Sequence, residues 1–426
     1  MTTTQKILLS FGLVAIFSVA IYLLIVWFLK SRKQMKKNKM ATLGLVIKYK
    51  TFKDYLGYQI LNKEQFYLYF VSLDRFSLLV LKYDNNLLRS LLRKTAKDLS
   101  VMLPFGGKVA QLPNRDTFVI YSRKEDYDEI SFAESLKQAA KTPFYLSERT
   151  ISNSVSVSFI EDKNYLEIRS IEKAYHSLIQ SRRLLGEVVR YNGSSDFSLV
   201  DYQNTLTKLE TSVVKANLSD LTKIKNNEFR EIYPELLIND LSFTNYLMSL
   251  PPLEQSWANL WLIEKFLLDF STLQIESKIV LPILLSTLEN ENFVENIEEM
   301  IQNYGYSLEF LTISLKPTKI KNEQIVIKNI LLLSNRGVKI SFDIEKILAD
   351  TYASVQLYNI NRLEITENLL SEEGLTELLY FASVNHLDVL LKTTRPREEI
   401  DVSGVTHLTT KIELPTNNNK NRQRKG

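Results

Sequence analysis

Seven β-favouring segments recur in the C-terminal half of the chain: 236–243, 279–286, 308–315, 337–343, 361–366, 386–393 and 407–414. Between 279 and 386 their starts lie 29, 29, 24 and 25 residues apart. The intervening pieces, such as LEQSWANLWLIEKFLLDF and EQIVIKNILLLSN, carry apolar residues at helical spacing. Strands separated by helix-length segments cannot pair as hairpins, so the rhythm predicts a parallel βα sheet. Seven repeats in a row favour its closure into a barrel.

The N-terminal half follows a different order. FYLYFVSL (66–73) reads as a buried strand, 85–102 as a helix with one leucine-rich face, and 107–112 with 117–122 as a hairpin turning through PNRD. A helix near 131–140, the alternating strand SVSVSF (154–159) and a helix over 170–185 capped by Gly186 complete it. This is an α/β unit with a mainly antiparallel sheet. The segment 192–205 reads as a linker and 206–228 as helical.

Charge and composition exclude several classes of function. The chain has 53 Lys and Arg against 49 Asp and Glu, with no Cys and three His. Residues 1–40 carry seven basic and no acidic side chains, and 420–426 carry four basic and none acidic, so positions 41–419 hold 42 basic and 49 acidic residues. An acidic body lacks the clustered positive surface that nucleic-acid binding needs. The absence of Cys excludes a thiolate zinc site, and His176, His386 and His407 lie too far apart in sequence to favour a zinc enzyme.

The run ILLSFGLVAIFSVAIYLLIVWFL (7–29) is uncharged. As a helix it would be about 35 Å long, which predicts a transmembrane helix. It is longer than the apolar core of a cleaved signal peptide and runs into Trp27, Phe28 and Lys30. The basic cluster Lys30, Arg32, Lys33, Lys36, Lys37 and Lys39 then predicts a single-pass protein of the cell membrane, with its N-terminus outside and the remaining domains cytoplasmic. Residues 30–59 are its basic juxtamembrane linker. The tail 416–426 is Asn-rich and basic, a disordered composition.

FYLYFVSLDRF, AQLPNRDTFVIY, SVSVSF and IEKAYHSLIQSRRLLG together resemble the GGDEF domain of diguanylate cyclases, over residues 60–192. GVKISFDIEKILADTYASVQLYNINRLEI resembles part of an EAL domain, the TIM-type (β/α) barrel of cyclic diguanylate phosphodiesterases, and extends the likeness over 206–415 beyond a linker at 193–205. The whole therefore resembles the tandem GGDEF–EAL proteins of bacterial cyclic diguanylate signalling, with both domains degenerate. The resemblance places the first domain's metal-binding Asp at Ser72, with Asp74 retained two residues on, and the Glu of its hairpin at Thr117. In the barrel it places the EAL glutamate at Asn239, other metal ligands at about Leu284 and Thr312, and the AEGVE pair at Lys392 and Arg395. Asp343 stands for one of two paired aspartates, and Arg362 and Glu364 stand where Lys and Asp occur in active members.

Two divalent ions need several converging carboxylates, and these positions do not supply them. The expectation is a catalytically inactive regulatory or scaffold protein with no catalytic residue, no metal and no cofactor. Asn239, Asp343, Arg362 and Glu364 are its candidate ligand-binding residues. The resemblance implies cyclic diguanylate as a ligand, a protein partner, a homodimer and control of envelope polysaccharide, adhesion or motility, with the membrane as a further partner and nucleic acid excluded. A residual phosphodiesterase using Asp343 and Glu364 and a nucleotide-independent structural envelope protein are the alternatives. In either inactive case the strand-end charges Asp343, Glu364 and Glu367 would be solvated or paired with Lys392 and Arg395.

Overall fold

In a computed structural model, described residues run from 46 to 411, apart from 114–115, 125–127, 147–148, 162–168, 192–198, 224–228, 272–277, 394 and 396–402. Their first unit is built on a six-stranded sheet in the order β1 (Val46–Ile47), β3 (Lys108–Gln111), β4 (Thr117–Arg123), β2 (Phe66–Leu73), β7 (Val155–Glu161), β8 (Val189–Arg190). The end strands β1 and β8 pair in parallel with β3 and β7, and all other pairings are antiparallel. Strands β5 (Phe144–Leu146) and β6 (Arg149–Ile151) form a separate hairpin.

Strand β2 lies in the middle and is buried at every residue, which is why FYLYFVSL lacks a polar face. Helices α2 (Phe76–Lys82), α3 (Asn85–Val101) and α4 (Glu129–Lys141) cover one face, and α1 (Tyr49–Leu61) and α5 (Arg169–Arg183) the other. Asp84 starts α3 by accepting hydrogen bonds from the backbone N–H groups of Asn86 and Leu87. Beyond α5, Gly186 has φ +90°, and a Cβ there would lie 2.7 Å from the Val155 carbonyl oxygen, so the helix can pack on β7 only with glycine at this turn.

The second unit is a barrel. Strands β10 (Phe229–Ile238), β12 (Lys278–Leu284), β13 (Leu311–Lys316), β14 (Lys339–Asp343), β15 (Arg362–Thr366), β16 (Asp388–Lys392) and β17 (His407–Lys411) pair in parallel, in that order. Strand β9 (Val214–Lys223) runs antiparallel between β17 and β10 and closes the ring. The two-residue β11 (Leu241–Ser242) extends β10. Outside the ring lie α6 (Leu199–Thr211), α7 (Phe243–Met248), α8 (Pro252–Ser271), α9 (Phe293–Asn303), α10 (Glu323–Asn335), α11 (Ala349–Leu357) and α12 (Leu375–Val384). The main core fills the space between ring and helices.

Three expectations are corrected. The segment 206–228 is not one helix: α6 ends at Thr211 and β9 follows. The first barrel strand begins at Phe229, seven residues before the predicted start at 236. A membrane span is not found either. Among the described residues no helix is long and apolar enough to cross a membrane, and 7–29 lies outside them. The longest described helix, α8, has 20 residues but carries Glu254, Glu264, Lys265 and Asp269 and packs against the barrel. The fold is thus two α/β units without an established span, and the single-pass placement, with outside N-terminus, cytoplasmic domains and the membrane as partner, does not stand. The basic tail and the hairpin residues Asn114 and Arg115 also lie outside the described residues.

Candidate functional site

Strand alternation fixes what the barrel encloses. In LTISLK (311–316), KISFD (339–343) and RLEIT (362–366) the residues Leu311, Ile313, Leu315, Ile340, Phe342, Leu363 and Ile365 join the core under the helices. The alternate set therefore points into the lumen: Thr312, Ser314 and Lys316; Ser341 and Asp343; Arg362, Glu364 and Thr366. Apolar lumen packing comes from Leu221, Tyr233, Val280 and Leu390.

The polar residues form layers along the barrel axis. Near the N-terminal ends of the strands, Arg362 donates to Glu231 at 2.7 Å, and both are buried. In the middle, Glu364 is wholly buried and accepts from the Tyr233 hydroxyl at 2.9 Å, from Ser314 at 2.9 Å and from Ser341. At the C-terminal ends, Lys316 donates to Asp343 at 2.6 Å, and Lys392 donates to the other oxygen of the same carboxylate. The two ammonium groups also stand 3.7 and 3.8 Å from Glu364. Just outside, Arg395 pairs with Glu367 at 2.9 Å, and Thr393 donates to the same carboxylate.

Two lysines thus neutralise two carboxylates inside the barrel mouth. Burial pushes the Glu364 carboxyl up, but Lys316, Lys392 and Arg362 and the Ser341 hydrogen bond outweigh it and hold the pKa down at about 2. Burial pushes Lys316 down, and Tyr233, Asp343 and Glu364 carry it well above the ordinary lysine value. Lys392 is lowered by burial and by repulsion from Lys316, against the pull of Asp343 and Glu364. The Tyr233 phenol is pushed far up by burial and by Glu364, so it stays protonated and donates.

Of the four candidate ligand residues, the structure brings Asp343 and Glu364 together. Arg362 lies one layer deeper, engaged with Glu231. Asn239 is elsewhere: it is exposed at the end of β10 with φ +50°, and its Oδ1 accepts from the Val213 N–H at 2.9 Å. It shapes a turn, a role its side chain suits. Lys316, Tyr233, Ser314, Ser341 and Glu231 are the residues that sequence reasoning missed. The alternation of LTISLK carried the signal for Lys316, one residue beyond the predicted end of that strand.

The first unit holds a parallel arrangement at the end of β2. Asp74 accepts from Ser156 at 2.7 Å and from Ser154 at 3.3 Å, and the Arg182 guanidinium lies 3.6 Å away. Arg182 also donates to Asp116 at 2.8 Å and to Ser72. Thr117 donates to the other Asp116 oxygen at 2.7 Å. Burial outweighs Arg182 and the serine bonds here, so the Asp74 pKa is raised. Among the described residues no group of three or more His, Cys, Asp or Glu side chains could hold a metal ion.

No family model matches the sequence, and no curated protein does. Among solved structures the chain is similar to a Vibrio cholerae LapD fragment, S helix-GGDEF-EAL, bound to c-di-GMP, at 9% identity and TM-score 0.39, over 89% of this chain and 97% of that one. It is also similar to an EAL domain protein from Listeria monocytogenes, at 12% identity and TM-score 0.40, over 51% of this chain and 92% of that one. A third likeness is to the GGDEF domain of TpbB (YfiN) from Pseudomonas aeruginosa, at 16% identity and TM-score 0.32, over 38% of this chain and 95% of that one. The first of these structures is a tandem fragment, and the other two are an EAL domain protein and a GGDEF domain. The roles of Asp343, Glu364, Lys316 and Lys392 rest on their own contacts.

Proposed function

We propose that this chain is a catalytically inactive GGDEF–EAL-like regulatory or scaffold protein of cyclic diguanylate signalling that acts through a protein partner. The observation that carries the reading is the ion cluster in the barrel mouth. A two-metal hydrolytic site needs free carboxylate oxygens converging on each ion, whereas both oxygens of Asp343 are engaged by Lys316 and Lys392. Glu364, wholly buried, is occupied by three hydroxyls and two ammonium groups. A divalent ion would have to displace these lysines from the carboxylate oxygens. Arg182 has the corresponding effect beside Asp74, Asp116 and Ser72 in the first unit.

Cyclic diguanylate is the ligand to test, because the LapD fragment and other similar structures were solved with it. The full chain, incubated separately with GTP and with cyclic diguanylate in Mg²⁺ or Mn²⁺, is expected to give no product. Product that disappears in Asp343→Ala would establish a residual phosphodiesterase instead. Calorimetric titration with cyclic diguanylate separates a receptor, which gives saturable heat, from a scaffold that ignores the nucleotide. The filled lumen favours the scaffold as the second reading.

A further inference from the structure

A groove with a volume of about 810 Å³ lies in the first unit, outside the barrel mouth. One wall is α3 and the other is β1 with the start of α1. Its floor is apolar: Phe76, Leu88, Leu92, Ala96 and Leu112, with Val80 half exposed above them. Its rim is basic. Arg89, Arg93 and Lys97 repeat at every fourth residue along α3, all exposed, and Lys48 faces them from the other wall. No ion pair engages these four cations among the described residues, in contrast to Lys94 beside them, which pairs with Asp98 at 2.6 Å.

We infer that this groove docks an acidic amphipathic helix of a partner protein, apolar side chains on the floor and carboxylates on the Arg89, Arg93 and Lys97 stripe. The inference rests on the regulatory reading above and names its docking surface. The stripe advances about 6 Å per step, the spacing of every fourth residue on a facing helix. Helices recognised in grooves use this combination of apolar anchors and flanking charge. A phosphate-bearing small molecule fits less well, because the cationic heads stand on the exposed rim and the interior offers it no buried donor. The chain's own preceding segment is mismatched too: Lys30, Arg32, Lys33, Lys36, Lys37 and Lys39 have the sign of the stripe, with no acidic residue among positions 1–40. Attraction of this kind weakens with added salt, whereas the apolar contact persists.

The test uses the full chain and a fluorescein-labelled synthetic helical peptide with Glu at every fourth position and Leu along the adjoining face. A control peptide has the same composition in scrambled order. Anisotropy is expected to show saturable binding of the patterned peptide and binding at least ~10-fold weaker for the scrambled one, a difference of about 1.4 kcal/mol. Arg89→Glu/Arg93→Glu/Lys97→Glu and, separately, Val80→Asp are each expected to weaken the patterned peptide by ~10-fold or more, with circular dichroism unchanged. Equal binding of the two peptides, binding untouched by both variants, or no saturable binding would overturn the inference. So would displacement of the peptide by inorganic triphosphate, which would mark a simple anion site, or tighter binding of a peptide spanning residues 1–45 of this chain. Turnover of a nucleotide with peptide binding intact would sink the inactive reading alone. Absent peptide binding without turnover would sink only the docking surface.

Discussion

The acid cluster at the end of β2 and the one in the barrel mouth face the same problem, a carboxylate buried beside cations of its own chain, and their carboxyl pKa values move in opposite directions. In the first unit the Arg182 guanidinium is shared by Asp74, Asp116 and Ser72, and Arg75 adds a weaker attraction at Asp74. Burial wins at Asp74 and its pKa rises. In the barrel two ammonium groups bracket Asp343 and Glu364, supported by Arg362 below, and attraction wins at Glu364. Whether attraction or burial prevails sets the direction in which each carboxyl shifts. The surroundings differ as well. The β2 end is covered by the barrel's helices: Arg75 pairs with Glu264 of α8, and Ser154 donates to Asn296 of α9 at 2.6 Å. The barrel cluster faces the mouth, where Lys392 is the more exposed of its two lysines.

Removing one barrel cation should have the largest effect. Lys316→Met leaves Asp343 and Glu364 under-compensated in the lumen, and the expected loss is about 3–5 kcal/mol in denaturant unfolding. A loss below about 1 kcal/mol would mean that water, and not Lys316, solvates the pair. The pH response comes next. The Glu364 carboxyl falls from an ordinary 4.5 to about 2 on folding, so its contribution is fully present above about pH 4.5 and is lost as pH drops toward 2. That contribution is about 3 kcal/mol. Glu364→Gln should flatten stability across that acid window, and an unchanged profile would contradict the lysine bracket.

The smallest effect is expected at Asp74. Its raised pKa means that the charged form is disfavoured by folding, so its contribution is present at low pH and declines as pH rises through the folded value. Asp74→Asn should therefore change stability at neutral pH by less than about 1 kcal/mol, with Asp116 still holding Arg182. A loss as large as that of Lys316→Met would erase the distinction between the two clusters.

Hydrophobic periodicity made the frame legible. FYLYFVSL appeared as the strand 66–73, and the βα rhythm from 279 onward appeared as the parallel ring, because apolar faces at strand and helix periods are local properties. The reversed strand β9 was not legible: VKANLSDLTK alternates weakly and continues a helical stretch, and only pairing on both sides, with β10 and β17, makes it a strand. Of the site, Asp343 and Glu364 were placed by the family resemblance, and the pairing of Lys392 with Asp343 and of Arg395 with Glu367 matches the reading of strand-end charges as paired. Arg362 and Asn239 were placed by position in a pattern, and the register decided otherwise. Arg362 is two residues, and one lumen layer, too deep, and Asn239 is past the strand in a turn. Lys316, Tyr233 and Arg182 come from segments far apart in sequence, and only the closed ring and the packing of α5 on β7 bring them to the acids.

Titrating the full chain with Mn²⁺, followed by electron paramagnetic resonance of the free ion, tests most directly whether the chain's own cations have taken the place of metal. Lysines seated between Asp343 and Glu364 predict no stoichiometric Mn²⁺ site and identical curves for wild type and Asp343→Ala. A tight stoichiometric site that vanishes in Asp343→Ala would contradict them.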